Sequence, residues 1–206
     1  MKLLLQIILL ISTSTSVWTQ NDVKIGNQIW MKKNLDVDRF RNGDIIKQVT
    51  SQEQWKWQYE IEEPAWCYYN FDVKNAKYGK LYNWHAVIDP RELAPSGYRI
   101  PMETDWMLLV RSLGKPERLA GTQLRGKYGW SNNCKEDKNR ANDNYGFNAL
   151  PGGSITGWGE FKYQWESAEF WSISYESHFV IHCYDTPSWD IWPSNNFGHY
   201  VRCIKD

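Results

Sequence analysis

Four cysteines, four histidines, two stretches rich in Asp and Asn, and a pair of tryptophans three residues apart are where this chain could do chemistry. No two of the cysteines, Cys67, Cys134, Cys183 and Cys203, have the short spacing of a zinc knuckle. His178 and His182 are the only close histidine pair. On a strand they would stand about 13 Å apart along one face, too far to share an ion, and His199 reads as an ordinary strand side chain. No catalytic or metal-ligating set emerges. Asp137, Asn139, Asn142, Asp143 and Asn144 form one oxygen-rich stretch, and Asp190, Asn195 and Asn196 another; such donors suit Ca2+, although similar runs commonly just make turns. Calcium is the one cofactor left open. Trp189 and Trp192 lie in the proline-bounded segment 187–196 with Asp190, Asn195 and Asn196 beside them, a combination of indole faces to stack on a sugar ring and polar groups to bond its hydroxyls. Trp158, Tyr163 and Trp165 make a second such patch.

Composition narrows the setting. Aromatic residues make up 16% of the chain, with 13 Trp and 12 Tyr, more than an ordinary core consumes, so some belong on the surface. The 24 Lys and Arg balance 24 Asp and Glu and are interspersed with them, leaving no basic field for a phosphate backbone. Nucleic acid is therefore not an expected partner. At the N-terminus, Lys2 precedes an apolar run over 3–11 that is too short to span a bilayer, and a small polar stretch follows over 12–16. This predicts a secretory signal peptide over 1–19, cleaved after Ser16 or Thr19, with no cysteine near either point to carry a lipid. About 185 residues remain, enough for one domain over 20–206, and no further long apolar segment follows. The expected location is secreted, periplasmic or cell-surface. In an oxidising compartment disulfides are the default for the four cysteines, and spacing does not choose among the three pairings.

The elements that must position these residues begin with a hairpin, where Gly26-Asn27 separates 23–25 from 28–31. Ser51 can cap a short helix carrying Trp55 and Tyr59 on one face. Residues 64–71 read as a strand. Leu81, Trp84, Val87 and Ile88 have helical spacing, ended by Pro90. Pro95-Ser96-Gly97 makes a turn, 98–100 an extended segment, and Pro101 enters a helix with Trp106, Leu109, Val110 and Leu113 on one face, Glu103 and Asp105 in its first turn, and Gly114 as its stop. A long loop region is expected over 121–148. Leu150-Pro151-Gly152-Gly153 then turns into a strand-rich third, with strands at 161–163, 170–174, 179–184 and 199–204.

Several of these stretches, in this order, resemble the Fibrobacter succinogenes major paralogous domain, a secreted bacterial module. They are Gly-Asn-Gln-Ile-Trp-Met-Lys-Lys-Asn-Leu at 26–35, Pro-Ala-Trp-Cys-Tyr-Tyr-Asn at 64–70, Tyr-Gly-Lys-Leu-Tyr-Asn-Trp at 78–84, the block 95–106, Gly-Phe-Asn-Ala-Leu-Pro-Gly-Gly at 146–153, Phe-Trp-Ser at 170–172, and Gly-His-Tyr-Val-Arg-Cys at 198–203. The resemblance covers 23–206. Through the Arg-Ile-Pro block and the Val-Arg-Cys ending the family is in turn similar to the sulfatase-modifying branch of the C-type lectin-like fold. That implies an α+β domain with two helices on a twisted antiparallel sheet and long irregular loops that hold ligand sites. Two departures stand out. The family commonly has Cys where this chain has Ala94, so Cys203 must find another partner, Cys183 being a candidate, or stay free. Met102 replaces a Thr, and losing that cap should cost about 1 kcal/mol unless Glu103 or Thr104 substitutes.

Enzymatic relatives of that wider fold use two closely spaced cysteines or a three-histidine cluster, and neither pattern is present, so the chain is not expected to be an enzyme. The sugar-coordinating tripeptides of calcium-dependent lectins are also missing. The expected function is that of a secreted or cell-surface non-catalytic binding domain for glycan or another extracellular ligand, working through aromatic-lined loops. The alternative is a structural or protein-interaction module of the bacterial envelope.

Overall fold

The computed structural model describes residues 21–131, 143–174, 177–183, 189–193 and 196–206. The segment expected to be a signal peptide, 1–19, lies outside them. In chain order the strands are β1 (Asp22–Ile25), β2 (Gln28–Met31), β3 (Lys47–Gln48), β4 (Ala65–Cys67), β5 (Leu81–Asn83), β6 (Tyr98–Arg99), β7 (Ser154–Thr156), β8 (Phe161–Lys162), β9 (Ser167–Ser172), β10 (Ser177–His182), β11 (Trp189–Pro193), β12 (Phe197–His199) and β13 (Ile204–Lys205). The α-helices are α1 (Gln52–Glu60), α2 (Trp84–Val87), α3 (Glu103–Ser112) and α4 (Ala120–Leu124). The architecture is α+β and mostly sheet, with sheet orders β1-β2-β13-β6, β11-β10-β9 and β3-β4-β5-β12-β7-β8.

Local signals hold where short-range chemistry decides. The Gly26-Asn27 turn closes the β1–β2 hairpin, and the Ser51 hydroxyl accepts from Gln54 N to cap α1. α3 buries Trp106, Leu109 and Val110. Its N-terminus lacks a hydroxyl at Met102, and what stands there is the other half of a capping box: the Asp105 carboxylate accepts from Met102 N at 2.7 Å. The same carboxylate takes both ends of the Arg99 guanidinium, at 2.6 and 2.8 Å. Burial pushes the Asp105 carboxyl up, but the Arg99 and Met102 bonds outweigh it and leave it below the usual carboxylate range. Asp105→Asn should therefore destabilise by about 2 kcal/mol at neutral pH, toward the modest end for charged bonds because Arg99 is partly exposed. A carboxylate with a depressed folded pKa contributes stability that is present above its unfolded value of 3.8 and lost as pH falls through the folded value. Urea titrations should show the wild type and Asp105→Asn converging in acid.

Several expected elements take a different form. Residues 80–88 are not one helix: Leu81 and Tyr82 pair with Cys67 and Trp66 in the sheet, and only Trp84–Val87 is helical. The strand expected over 64–71 ends at Cys67 and gives way to a 3-10 turn, Tyr69–Phe71. The region expected as loop over 121–148 contains most of α4.

The core centres on Trp106, which is fully buried. Its ring stacks on Phe179 at 4.5 Å and lies 4.7 Å from Trp30, so one indole joins α3 to the hairpin and to β10. Buried Trp30, Trp106 and Trp171 are core as expected, whereas Trp84 is half-buried. Cys67 and Cys203 are free and buried, so the candidate pairing of Cys183 with Cys203 does not form and Cys203 stays a thiol, pushed up to about 12 by burial. Cys183 is buried, and Cys134 lies outside the described residues.

Candidate functional site

The three-stranded sheet β9-β10-β11 has two chemically distinct faces, because successive strand residues point to opposite sides. Register places Phe179 opposite Phe170 and Ile191, and Ile181 opposite Ala168 and Trp189, all directed at the core around Trp106. The alternate set is His178 opposite Trp171 and Trp192, Val180 opposite Glu169 and Asp190, and His182 opposite Ser167. A cleft of about 400 Å3 opens on this second face. Glu169, His178, Val180 and His182 line it from the sheet, Trp192 and Phe197 contribute aromatic surface, and Tyr163 and Glu166 close one side.

The segment expected to be a loop around Trp189 and Trp192 is thus the edge strand β11. An odd spacing on a strand separates the two indoles onto opposite faces. Trp189 stacks on Phe179 at 5.9 Å and its Nε1 donates to Glu117 O at 2.7 Å, so it is a structural residue. Trp192 is 53% exposed and lines the cleft. Asp190 is spent locally, its carboxylate accepting from Ile191 N. Asn196 is exposed and Asn195 lies outside the described residues.

The second expected patch also divides. Tyr163 lines the cleft, held at φ 59 by a turn in which its carbonyl accepts from both Glu166 N and Ser167 N. A bulky residue in the left-handed region is strained, and strain of this kind clusters at binding sites. Gly153 packs under the turn, where a Cβ would meet Lys162 O at 2.1 Å. Trp158 and Trp165 are exposed but do not line the cleft; Trp158 lies instead under the Lys56 ammonium. Of the calcium-type stretch, Asp137, Asn139 and Asn142 are outside the described residues, Asn144 is exposed, and the Asp143 carboxylate accepts from Asn148 N at 2.8 Å.

At the cleft floor sits a group that sequence reasoning missed. β12 ends beside β9, where Tyr200 N donates to Glu169 O and Trp171 N to Tyr200 O, and this backbone pairing brings His199 to Glu169. His199 Nδ1 is 3.1 Å from Glu169 Oε2, and His178 Nε2 is 3.8 Å from the same oxygen. The Ser167 hydroxyl donates to Glu169 Oε1 at 2.6 Å. The two imidazoles stack at 4.1 Å, and Phe197 stacks on the far side of His199 at 5.6 Å. Burial alone would raise the Glu169 carboxyl, but the His199 bond, both imidazoles and the Ser167 hydroxyl hold it at about 2. Burial and the neighbouring His199 lower His178 to about 3, so His178 is neutral at physiological pH. The available signal was a carboxylate inside the apolar run Ala168-Glu169-Phe170-Trp171: a buried charge needs a partner. Which partner it finds depends on a contact thirty residues away in sequence.

The family model of the Fibrobacter succinogenes major domain matches residues 23–205. The chain belongs to that family. No curated protein and no solved structure matches it. The motif residues of this Fibrobacter succinogenes major domain are largely scaffold: Gly198 admits the Trp55 ring, which a Cβ would meet at 2.5 Å, and Arg202 is buried among backbone carbonyls. Among the described residues no helix is long and apolar enough to cross a membrane.

Proposed function

We propose that this protein is a secreted or cell-surface binding domain, without catalysis, that holds a glycan or a similar polyhydroxylated extracellular ligand in the cleft beside β11. The observation that carries this reading is the exposed Trp192 indole sharing one cleft with Tyr163 and Glu166, over a polar floor of Glu169, His178 and His182. An aromatic face with a few convergent polar groups, in a volume of this size, suits a sugar ring. The wider kinship with the C-type lectin-like fold, implied by the family motifs, is part of the same proposal, as is export by the N-terminal segment.

Trp192→Ala should abolish retention on a glycan array while leaving the circular dichroism spectrum and the unfolding midpoint unchanged. Trp189→Ala should instead lower the midpoint, since its indole packs on the core and donates to Glu117 O. A wild-type protein that binds no glycan but captures a defined envelope protein through the same tryptophan would replace ligand binding with a protein-interaction role.

A further inference from the structure

We propose that Glu169, His178 and His199 form a binding site for a divalent first-row transition ion at the floor of the cleft. The candidate ligand atoms of the three residues all lie within 4.8 Å of one another, drawn from three strands that only the fold brings together. Two imidazoles and one carboxylate are the donor set of His2Glu zinc sites and of the two-histidine, one-carboxylate centres that leave positions open to a ligand. The donor type selects against Ca2+ and Mg2+, which take oxygen.

Geometry supports one ion. Tetrahedral donors around a shared Zn2+ stand about 3.4 Å apart, and the two nitrogens lie 3.1 and 3.8 Å from Glu169 Oε2. The rings stack at 13° between planes, so one of them must turn for both lone pairs to meet an ion. His178 is the ring able to do so. It borders the cleft, and its Nδ1 is buried without a hydrogen bond of good geometry, although the Trp192 backbone lies close enough to favour the charged ring. His199 is fixed by contrast, packed edge-on against Trp171 at 4.6 Å and stacked on Phe197. The Ser167 hydroxyl holds the other oxygen of Glu169, the outer-shell support that orients a ligating carboxylate. Because Glu169 and His178 line the cleft, the remaining coordination positions face whatever the cleft holds.

The test is titration of chelator-treated, desalted protein with Zn2+ by calorimetry, and with Co2+ by visible absorption. The expected result is one ion per chain, a Co2+ spectrum of low-symmetry nitrogen and oxygen ligation, and a raised unfolding midpoint with Zn2+ but not with Mg2+. His178→Gln, on the cleft side and so tolerant of change, should weaken Zn2+ by more than about 100-fold, beyond the cost of altering an outer-shell partner. His85→Gln, outside the cluster, should bind as the wild type does. A measurement on the unaltered chain supplements the variants: Zn2+ should protect His178 from diethyl pyrocarbonate labelling, read by peptide mass spectrometry. Absence of stoichiometric binding by the wild type, undiminished binding by His178→Gln, or labelling of His178 that Zn2+ does not change would overturn the proposal. Loss of glycan retention in Trp192→Ala is independent of all three.

Discussion

Trp106→Ala is expected to lower the free energy of unfolding by about 3–5 kcal/mol, the range for removing a fully buried aromatic side chain. The indole has no exposed surface, and it contacts rings from three separate parts of the chain: Trp30 in the hairpin, Phe147 ahead of β7, and Phe170 and Phe179 in the cleft sheet. Collapse cannot refill that space without moving all of them. Against a typical domain stability of roughly 5–15 kcal/mol, the loss is about a fifth of the total or more. Guanidinium titration measures it, and Trp106→Phe should recover part of the deficit because the stack on Phe179 survives in reduced form. A loss below about 1 kcal/mol would show that α3 is not the anchor of the core.

Arg202→Met is expected to cost about 3 kcal/mol, because it strips a hydrogen-bond donor from several acceptors at once. Arg202 is 1% exposed; its Nη1 donates to the carbonyls of Met31 and Phe147, its Nε donates to Asn34 Oδ1 at 2.9 Å, and its guanidinium lies 4.5 Å over the Phe147 ring. Methionine fills much of the volume and leaves the buried Phe147 carbonyl and the part-buried Met31 carbonyl and Asn34 Oδ1 without this donor. It also removes the positive charge that helps to draw down the Asp143 carboxyl, which burial otherwise raises. Arg202→Lys keeps the charge but not the fork, so it should fall between the wild type and Arg202→Met. Chemical denaturation of the three proteins side by side checks the order.

These two residues also show what kind of information was legible in the chain. Trp106 could be assigned to the core because its partners at i+3, i+4 and i+7 mark one helical face, a local and periodic property. Arg202 was visible only as part of a family ending; its role as a donor to segments near Met31 and Phe147 has no local signature. Leu81, Trp84, Val87 and Ile88 illustrate a period that misleads. Their spacing suits a helix, but Leu81 and Tyr82 gain more by pairing with β4 and β12 than by a helical turn.

The cleft divides along the same line. Trp192 and Tyr163 were readable as surface aromatics from their excess and their polar neighbours. That Trp189 belongs to the core follows from β11 being a strand, because an odd spacing then reverses the face. Local composition there, rich in Pro, Asn and Ser, argued for a loop, and pairing with β10 overrode it.

By itself the sequence determined the family, the α+β class, the hairpin, the capped helix α1 and the buried face of α3, since each rests on neighbours a few residues apart or on motifs in fixed order. Only the tertiary structure decided that Cys203 stays a free thiol, that one tryptophan of a pair is buried and the other faces the cleft, and that Glu169, His178 and His199 meet. Those outcomes depend on strand register and on β12 running beside β9, and backbone pairing between distant segments leaves no periodic trace in the chain.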